Sequence, residues 1–150
     1  MNKLRLGMYA GSFNPFHIGH LDVVKQASLV FDKILVAKCV NPEKTKSDRY
    51  LLPVNFLTDM ETYTEDFNGL LVDLIKKWEI DYDVTLVRGL RSGADLEYEQ
   101  NFAAFLRGMY SQVKIVAFYC DPKLRHISSR SLRALETISS DEYRKYVITD

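Results

Sequence analysis

Ten residues, Gly11-Ser12-Phe13-Asn14-Pro15-Phe16-His17-Ile18-Gly19-His20, stand between an alternating apolar stretch and a helically spaced one, and this placement constrains the fold more than any other feature. Leu4, Leu6 and Met8 recur with the period of a strand, while Ile18, Leu21, Val24, Ala27, Ser28 and Phe31 recur with that of a helix. A glycine-rich turn joining β to α in this order is where open α/β sheets bind phosphates, because the first N–H groups of the helix are unpaired there. His17 and His20 are three apart at the helix start, so both rings can lean over one face and donate to a phosphate oxygen. Gly19 between them would let a ligand approach the backbone.

The same alternation continues along the chain. Residues 33–40 form a β-rich apolar run, followed by a polar loop at 41–49. A short helix is expected within 51–60, interrupted near Pro53, then a weak strand over 61–66 and a helix over 70–78. Residues 83–87 make a clean strand, followed by a turn through Gly89 and Gly93. A long helix comes next, with Ala94, Tyr98, Phe102, Phe105 and Met109 on its apolar stripe, and Ser92 and Asp95 at capping-box spacing. Another strand is expected over 113–119, and a last helix begins near Ser128 or Ser129.

This rhythm implies a single Rossmann-like, doubly wound α/β domain over 1–150, with a mostly parallel sheet of about five strands and helices on both faces. Loops that follow the strands of such a sheet gather at one crevice, so residues 11–20, 41–49, 88–99 and 121–133 are expected to converge.

Twenty Lys and Arg side chains balance twenty Asp and Glu, which argues against binding nucleic acid or an anionic membrane through bulk charge. Phosphate affinity must then be local. No apolar stretch resembles a signal peptide or is long enough to span a bilayer, which points to a cytoplasmic protein. Cys39 and Cys120 lie far apart near strand patterns and read as buried thiols, not as a disulfide or zinc knuckle.

Arg88 and Arg91 flank a glycine just beyond a strand, where guanidinium groups can fork onto phosphate oxygens. The competing arrangement pairs them with Asp95, Glu97 or Glu99 as surface ion pairs, but the crevice position favours the phosphate. Ser128 and Ser129 serve equally well as phosphate donors or as a helix cap. No metal-ligand cluster is expected.

The first motif resembles the HxGH signature of the nucleotidyltransferase superfamily, and Arg88-Gly89-Leu90-Arg91-Ser92-Gly93-Ala94-Asp95-Leu96-Glu97-Tyr98-Glu99 resembles that of the phosphopantetheine adenylyltransferase family. The likeness extends through Asn41-Pro42-Glu43-Lys44 to Ile127-Ser128-Ser129. It implies transfer of AMP from ATP to 4′-phosphopantetheine, giving dephospho-coenzyme A and pyrophosphate, with Mg²⁺ carried mainly by substrate phosphates and a homo-oligomer, usually a hexamer. By the same resemblance His20, Lys44 and Arg91 are catalytic, with His20 on the α-phosphate and Arg91 on the triphosphate. Lys44 and Arg88 hold the acceptor phosphate, while Ser12 and the Phe13 amide hold phosphate oxygens. The nucleotide site takes in His17, Gly89, Leu90, Glu99, Leu124, Ile127, Ser128, Ser129 and Arg130; Arg133 adds a triphosphate contact and Leu71 an apolar contact to the acceptor. His17, Leu124 and Arg130 depart from the family's usual residues, and the chain ends soon after Tyr146 without the usual closing helix. Two further readings are an adenylyltransferase for another phosphorylated acceptor, such as nicotinamide mononucleotide, and a noncatalytic nucleotide-binding module.

Overall fold

The computed structural model describes residues 2–39 and 50–150. Strands β1 (Arg5–Gly11), β2 (Lys33–Cys39), β3 (Tyr63–Phe67), β4 (Asp83–Leu90) and β5 (Ile115–Tyr119) form one sheet in the order β3-β2-β1-β4-β5, every adjacent pair parallel. The helices are α1 (Ile18–Ser28), α2 (Val54–Asp59), α3 (Leu71–Glu79), α4 (Gly93–Met109), α5 (Ser129–Ile138) and α6 (Ser140–Arg144). The α/β architecture read from the sequence is therefore present. α2 begins directly after Pro53, whose missing N–H costs nothing at a helix start.

The strands bury both faces. Leu6, Met8 and Ala10 of β1 and Leu35 and Ala37 of β2 pack with Val72, Leu74 and Ile75 of α3 and Leu106 of α4. Tyr9, Ile34, Val36 and Val87 join Val23, Val24 and Ala27 of α1 and Leu57 of α2 in a second cluster. Successive strand residues point to opposite faces, so covering both makes the strands almost continuously apolar. The chain runs outward from β1 through β2 to β3, then returns to β4 on the other side of β1. A constant crossover hand sends α3 and α4 to the face opposite α1 and α2. Beyond the carboxyl ends of β1 and β4, where the winding reverses, a crevice opens.

Two local expectations are corrected. β4 continues through Leu90, and Gly89 is a strand residue opposite Phe118, not part of a turn. A Cβ on Gly89 would come within 2.9 Å of Val23 Cγ2, so the glycine allows α1 to lie close on the sheet. The apolar stripe expected on α4 is also not its buried face, since Tyr98 and Phe105 are 64% and 75% exposed. Of the expected stripe only Phe102 faces the core, with Leu106 beside it, on the side of the helix that also carries Asp95 and Glu99. Those carboxylates meet the arginines of the β4 segment, and their polarity hid the inward face from a hydrophobic pattern.

Past α6 the chain returns to the first motif. Tyr146 O accepts from Ile18 N at 2.9 Å, Ile148 N donates to Phe16 O at 3.0 Å, and Val147 bridges His17 in antiparallel fashion. Among the described residues no helix is long and apolar enough to cross a membrane.

Candidate active site

The turn after β1 is strained and tightly held. Phe13 has a φ of 47°, a left-handed conformation that costs a non-glycine residue on the order of 1–2 kcal/mol. Its buried ring is fixed by edge contacts to Tyr9 and His20, at centroid distances of 5.1 and 4.9 Å, and by a tilted contact to Phe16 at 5.4 Å. Three carbonyls around it accept hydrogen bonds: Ser12 O from Lys38 Nζ at 2.6 Å, Asn14 O from Arg133 Nη1 at 2.7 Å and Pro15 O from Ser129 Oγ at 2.9 Å. Pairing these oxygens with cations and a hydroxyl offsets the negative charge that would repel an anion from the turn.

The two histidines cap α1 with their own rings. His17 Nδ1 accepts from Gly19 N at 3.0 Å, and His20 Nδ1 accepts from His17 N at 3.1 Å. The rings stack with centroids 3.7 Å apart, so they do share one face. Gly19 serves this cap, since a Cβ there would lie 2.9 Å from His17 Cε1, and it also lines the cleft. Burial, aided by Arg91, lowers the His17 pKa to about 4. Burial, then His17 and Arg91, hold His20 well below the usual histidine value. Both imidazoles are thus neutral at pH 7, and with Nδ1 accepting, the ring proton sits on Nε2. His20 therefore offers a hydrogen bond, the donation to a phosphate oxygen that its place at the helix start allowed.

Arg88 and Arg91 are both paired. Arg88 donates to Glu99 through Nε at 2.7 Å and Nη2 at 2.8 Å, gives Nη1 to Ala10 O at 2.8 Å, and lies 4.6 Å over the Phe102 ring. The ion-pair alternative is therefore realised in shelter, the two side chains being only 17% and 15% exposed. Burial works hardest against this guanidinium's charge, yet Glu99 outweighs it and the pKa is raised. The Asp95 carboxylate accepts from Arg91 N at 2.8 Å and Nε at 3.2 Å, so it does not complete a capping box with Ser92. Ile127 O takes Arg91 Nη1 at 3.2 Å, and Arg125 Nε donates to Arg91 O at 2.8 Å. At the start of α5, Ser128 Oγ accepts from Ser131 N at 3.0 Å and Ser131 Oγ from Ser128 N at 3.1 Å, a reciprocal cap.

These groups surround one cleft of about 390 Å³ at the carboxyl ends of β1 and β4. A family model described as cytidylyltransferase-like matches residues 8–146. The phosphopantetheine adenylyltransferase of Clostridium perfringens is 32% identical over 143 residues, covering 92% of this chain and 85% of its own. That of Clostridium novyi is 36% identical over 135 residues, covering 87% and 82%. The chain belongs to the phosphopantetheine adenylyltransferase family. A solved nicotinic acid mononucleotide adenylyltransferase of Plasmodium falciparum aligns over 96% of this chain and 90% of its own with a TM-score of 0.59, but at 16% identity the likeness is one of fold.

Most positions matching the family's motifs line the cleft. Ser12, Phe13, His17 and His20 come from the first turn, Arg88, Gly89, Leu90 and Arg91 from the β4 segment, and Glu99 from α4. Ser128, Ser129, Arg130 and Arg133 come from α5 and its cap. Leu124 and Ile127 instead pack with Leu132 and Tyr143 beside the cleft, and Leu71 packs with the core that covers the α3 face. Lys44 and the expected loop at 41–49 lie outside the described residues. The two cysteines are free and half-buried, less sheltered than expected, with Cys120 on the cleft wall.

The sequence reading missed Lys38 and Tyr9. Tyr9 lines the cleft, and burial raises its phenol pKa so that it stays protonated. Lys38 is a buried lysine inside the apolar run of β2, and a charge closing the five consecutive buried positions 34–38 of a covered strand was the signal available.

Proposed function

We propose that residues 1–150 act as one nucleotidyltransferase domain that moves the adenylyl group of ATP to 4′-phosphopantetheine, giving dephospho-coenzyme A and pyrophosphate. The observation that carries this reading is that the histidine motif and the arginine motif of the family face one cleft. The acceptor phosphate, with a second pKa of about 6, is largely dianionic at pH 7 and needs no protein base. One of its oxygens bonds to the α-phosphorus, the bond from that phosphorus to the α–β bridging oxygen breaks, and the electron pair leaves on pyrophosphate. His20 donates its Nε2–H to an α-phosphoryl oxygen as charge gathers there. Arg91 meets the triphosphate, Ser12 and the Phe13 N–H hold phosphate oxygens, and Lys44 with Arg88 hold the acceptor. Arg88 has five N–H donors; Glu99 and Ala10 take three, which leaves two for a phosphate.

The cleft does not fit a protein-held Mg²⁺. Its carboxylates, Asp95 and Glu99, are engaged by arginines, and among the described residues no group of three or more His, Cys, Asp and Glu could hold an ion. In this reading Mg²⁺ is carried by the substrate phosphates, and no step is routed through it. Family membership further supports a cytoplasmic homo-oligomer, a hexamer, and the exposed Tyr98, Phe105 and Met109 on α4 supply apolar surface for assembly.

The decisive experiment offers the purified protein ATP with either 4′-phosphopantetheine or nicotinamide mononucleotide and measures pyrophosphate release. Release with the first acceptor alone is expected. Release only with the mononucleotide would replace the acceptor, and ATP binding without turnover on either would reduce the protein to a binding module.

A further inference from the structure

We infer that Lys38 is a positioning residue for the phosphate turn: it sets the direction of the Phe13 N–H. The inference rests on the proposed function only in taking that amide as a phosphate donor. Ile34 and Val36 of β2 point into the cluster beneath α1, and Lys38 takes the next position of that series, 5% exposed. Burying an ammonium group is costly unless hydrogen bonds compensate it. Two of them come from the turn, Ser12 O at 2.6 Å and Asn14 Oδ1 at 2.5 Å, one on each side of left-handed Phe13.

In a trans peptide unit the C=O and the following N–H point in opposite directions. Drawing Ser12 O toward the ammonium therefore turns Phe13 N–H the other way, and Ser12 and Phe13 both line the cleft. A flip of the same unit would aim the carbonyl at the phosphate and convert an attractive dipole into a repulsive one. Asn14 is anchored twice, its side-chain oxygen by Lys38 and its main-chain oxygen by Arg133 Nη1 at 2.7 Å, which keeps the next unit from relieving the strain. Lys38 touches no substrate in this account.

The test compares the intact protein with Lys38→Met, Asn14→Ala and the double variant, each checked for folding by thermal melting. The Phe13 amide resonance, ATP affinity by calorimetry and pyrophosphate release are then measured. In the unaltered protein, added pyrophosphate should move the Phe13 resonance. In Lys38→Met that response should be lost, and ATP affinity and kcat should each fall about tenfold, within the range seen for small misplacements. Because Lys38→Met removes both bonds of the ammonium to the turn and Asn14→Ala only one of the same two, the double variant should be no worse than Lys38→Met alone. A folded Lys38→Met protein with the normal Phe13 response and ATP affinity would overturn the inference, as would losses that multiply in the double variant. Should Lys38→Met fail to fold, Asn14→Ala, which frees one of the two anchors of the ammonium, should weaken the Phe13 response and ATP affinity in the same direction, and leaving both unchanged would overturn the inference. If the unaltered protein binds ATP without turnover, the proposed function fails while the amide and affinity readouts still decide the role of Lys38.

Discussion

A histidine that accepts a main-chain hydrogen bond at Nδ1 has given up that nitrogen as a proton site, and both His17 and His20 are in this position. Spacing alone indicated that their rings share a face, but their charge depends on burial, on each other and on Arg91, which join only in the fold. Replacing His20 by Ala should lower kcat by about 10²- to 10³-fold, as for loss of one oxyanion donor, with a much smaller change in ATP affinity. Steady-state kinetics beside calorimetry would show this, and equal losses in both would remove His20 from the transition state. Stability should also follow the pair. Their folded pKa values lie below the unfolded value of 6.5, so the unfolded chain takes up more protons once the pH drops beneath it. The stabilising contribution is complete above pH 6.5 and is lost as pH falls toward about 4 for His17. The slope approaches about 1.4 kcal/mol per pH unit for each histidine. Urea unfolding at pH 7 and pH 5 measures it, and equal midpoints would contradict the neutral pair.

At the scale of elements, Gly89 separates what pattern can reveal from what it cannot. A glycine beyond an apolar run reads as a turn, yet here it continues β4 because β5 pairs with it and α1 needs its missing side chain. Gly89→Ala should cost about 1–3 kcal/mol by overpacking against Val23. Chemical denaturation should show the loss, and adding Val23→Ala should recover part of it; additive losses would mean that the two positions do not compete for space. α4 gives the same lesson. The alternating strands were legible because burial on two faces demands apolar residues, whereas the inward stripe of α4 spends Asp95 and Glu99 on arginines and so resembles a solvated surface. Ser128 left two readings open, and the reciprocal bond with Ser131 shows that its hydroxyl serves the cap.

For the whole molecule, the sheet order explains why a chain of zero net charge can gather cations locally. Reversal of winding between β1 and β4 brings segments from both halves of the sequence to one crevice, so the balance of acids and bases says little about the potential inside it. The convergence of 11–20, 88–99 and the start of α5 was legible from the strand-helix rhythm. Which side chains reach the crevice was not, since Leu124 and Ile127 belong to a satellite core that forms only once α5 and α6 pack. That core also joins two events that a diagram of separate loops would keep apart. Ser129 and Arg133 reach from α5 to the main chain at Pro15 and Asn14. Any outward swing of this helix must therefore break those two bonds to the turn after β1, so that the wall of the crevice and the shape of its floor cannot change separately.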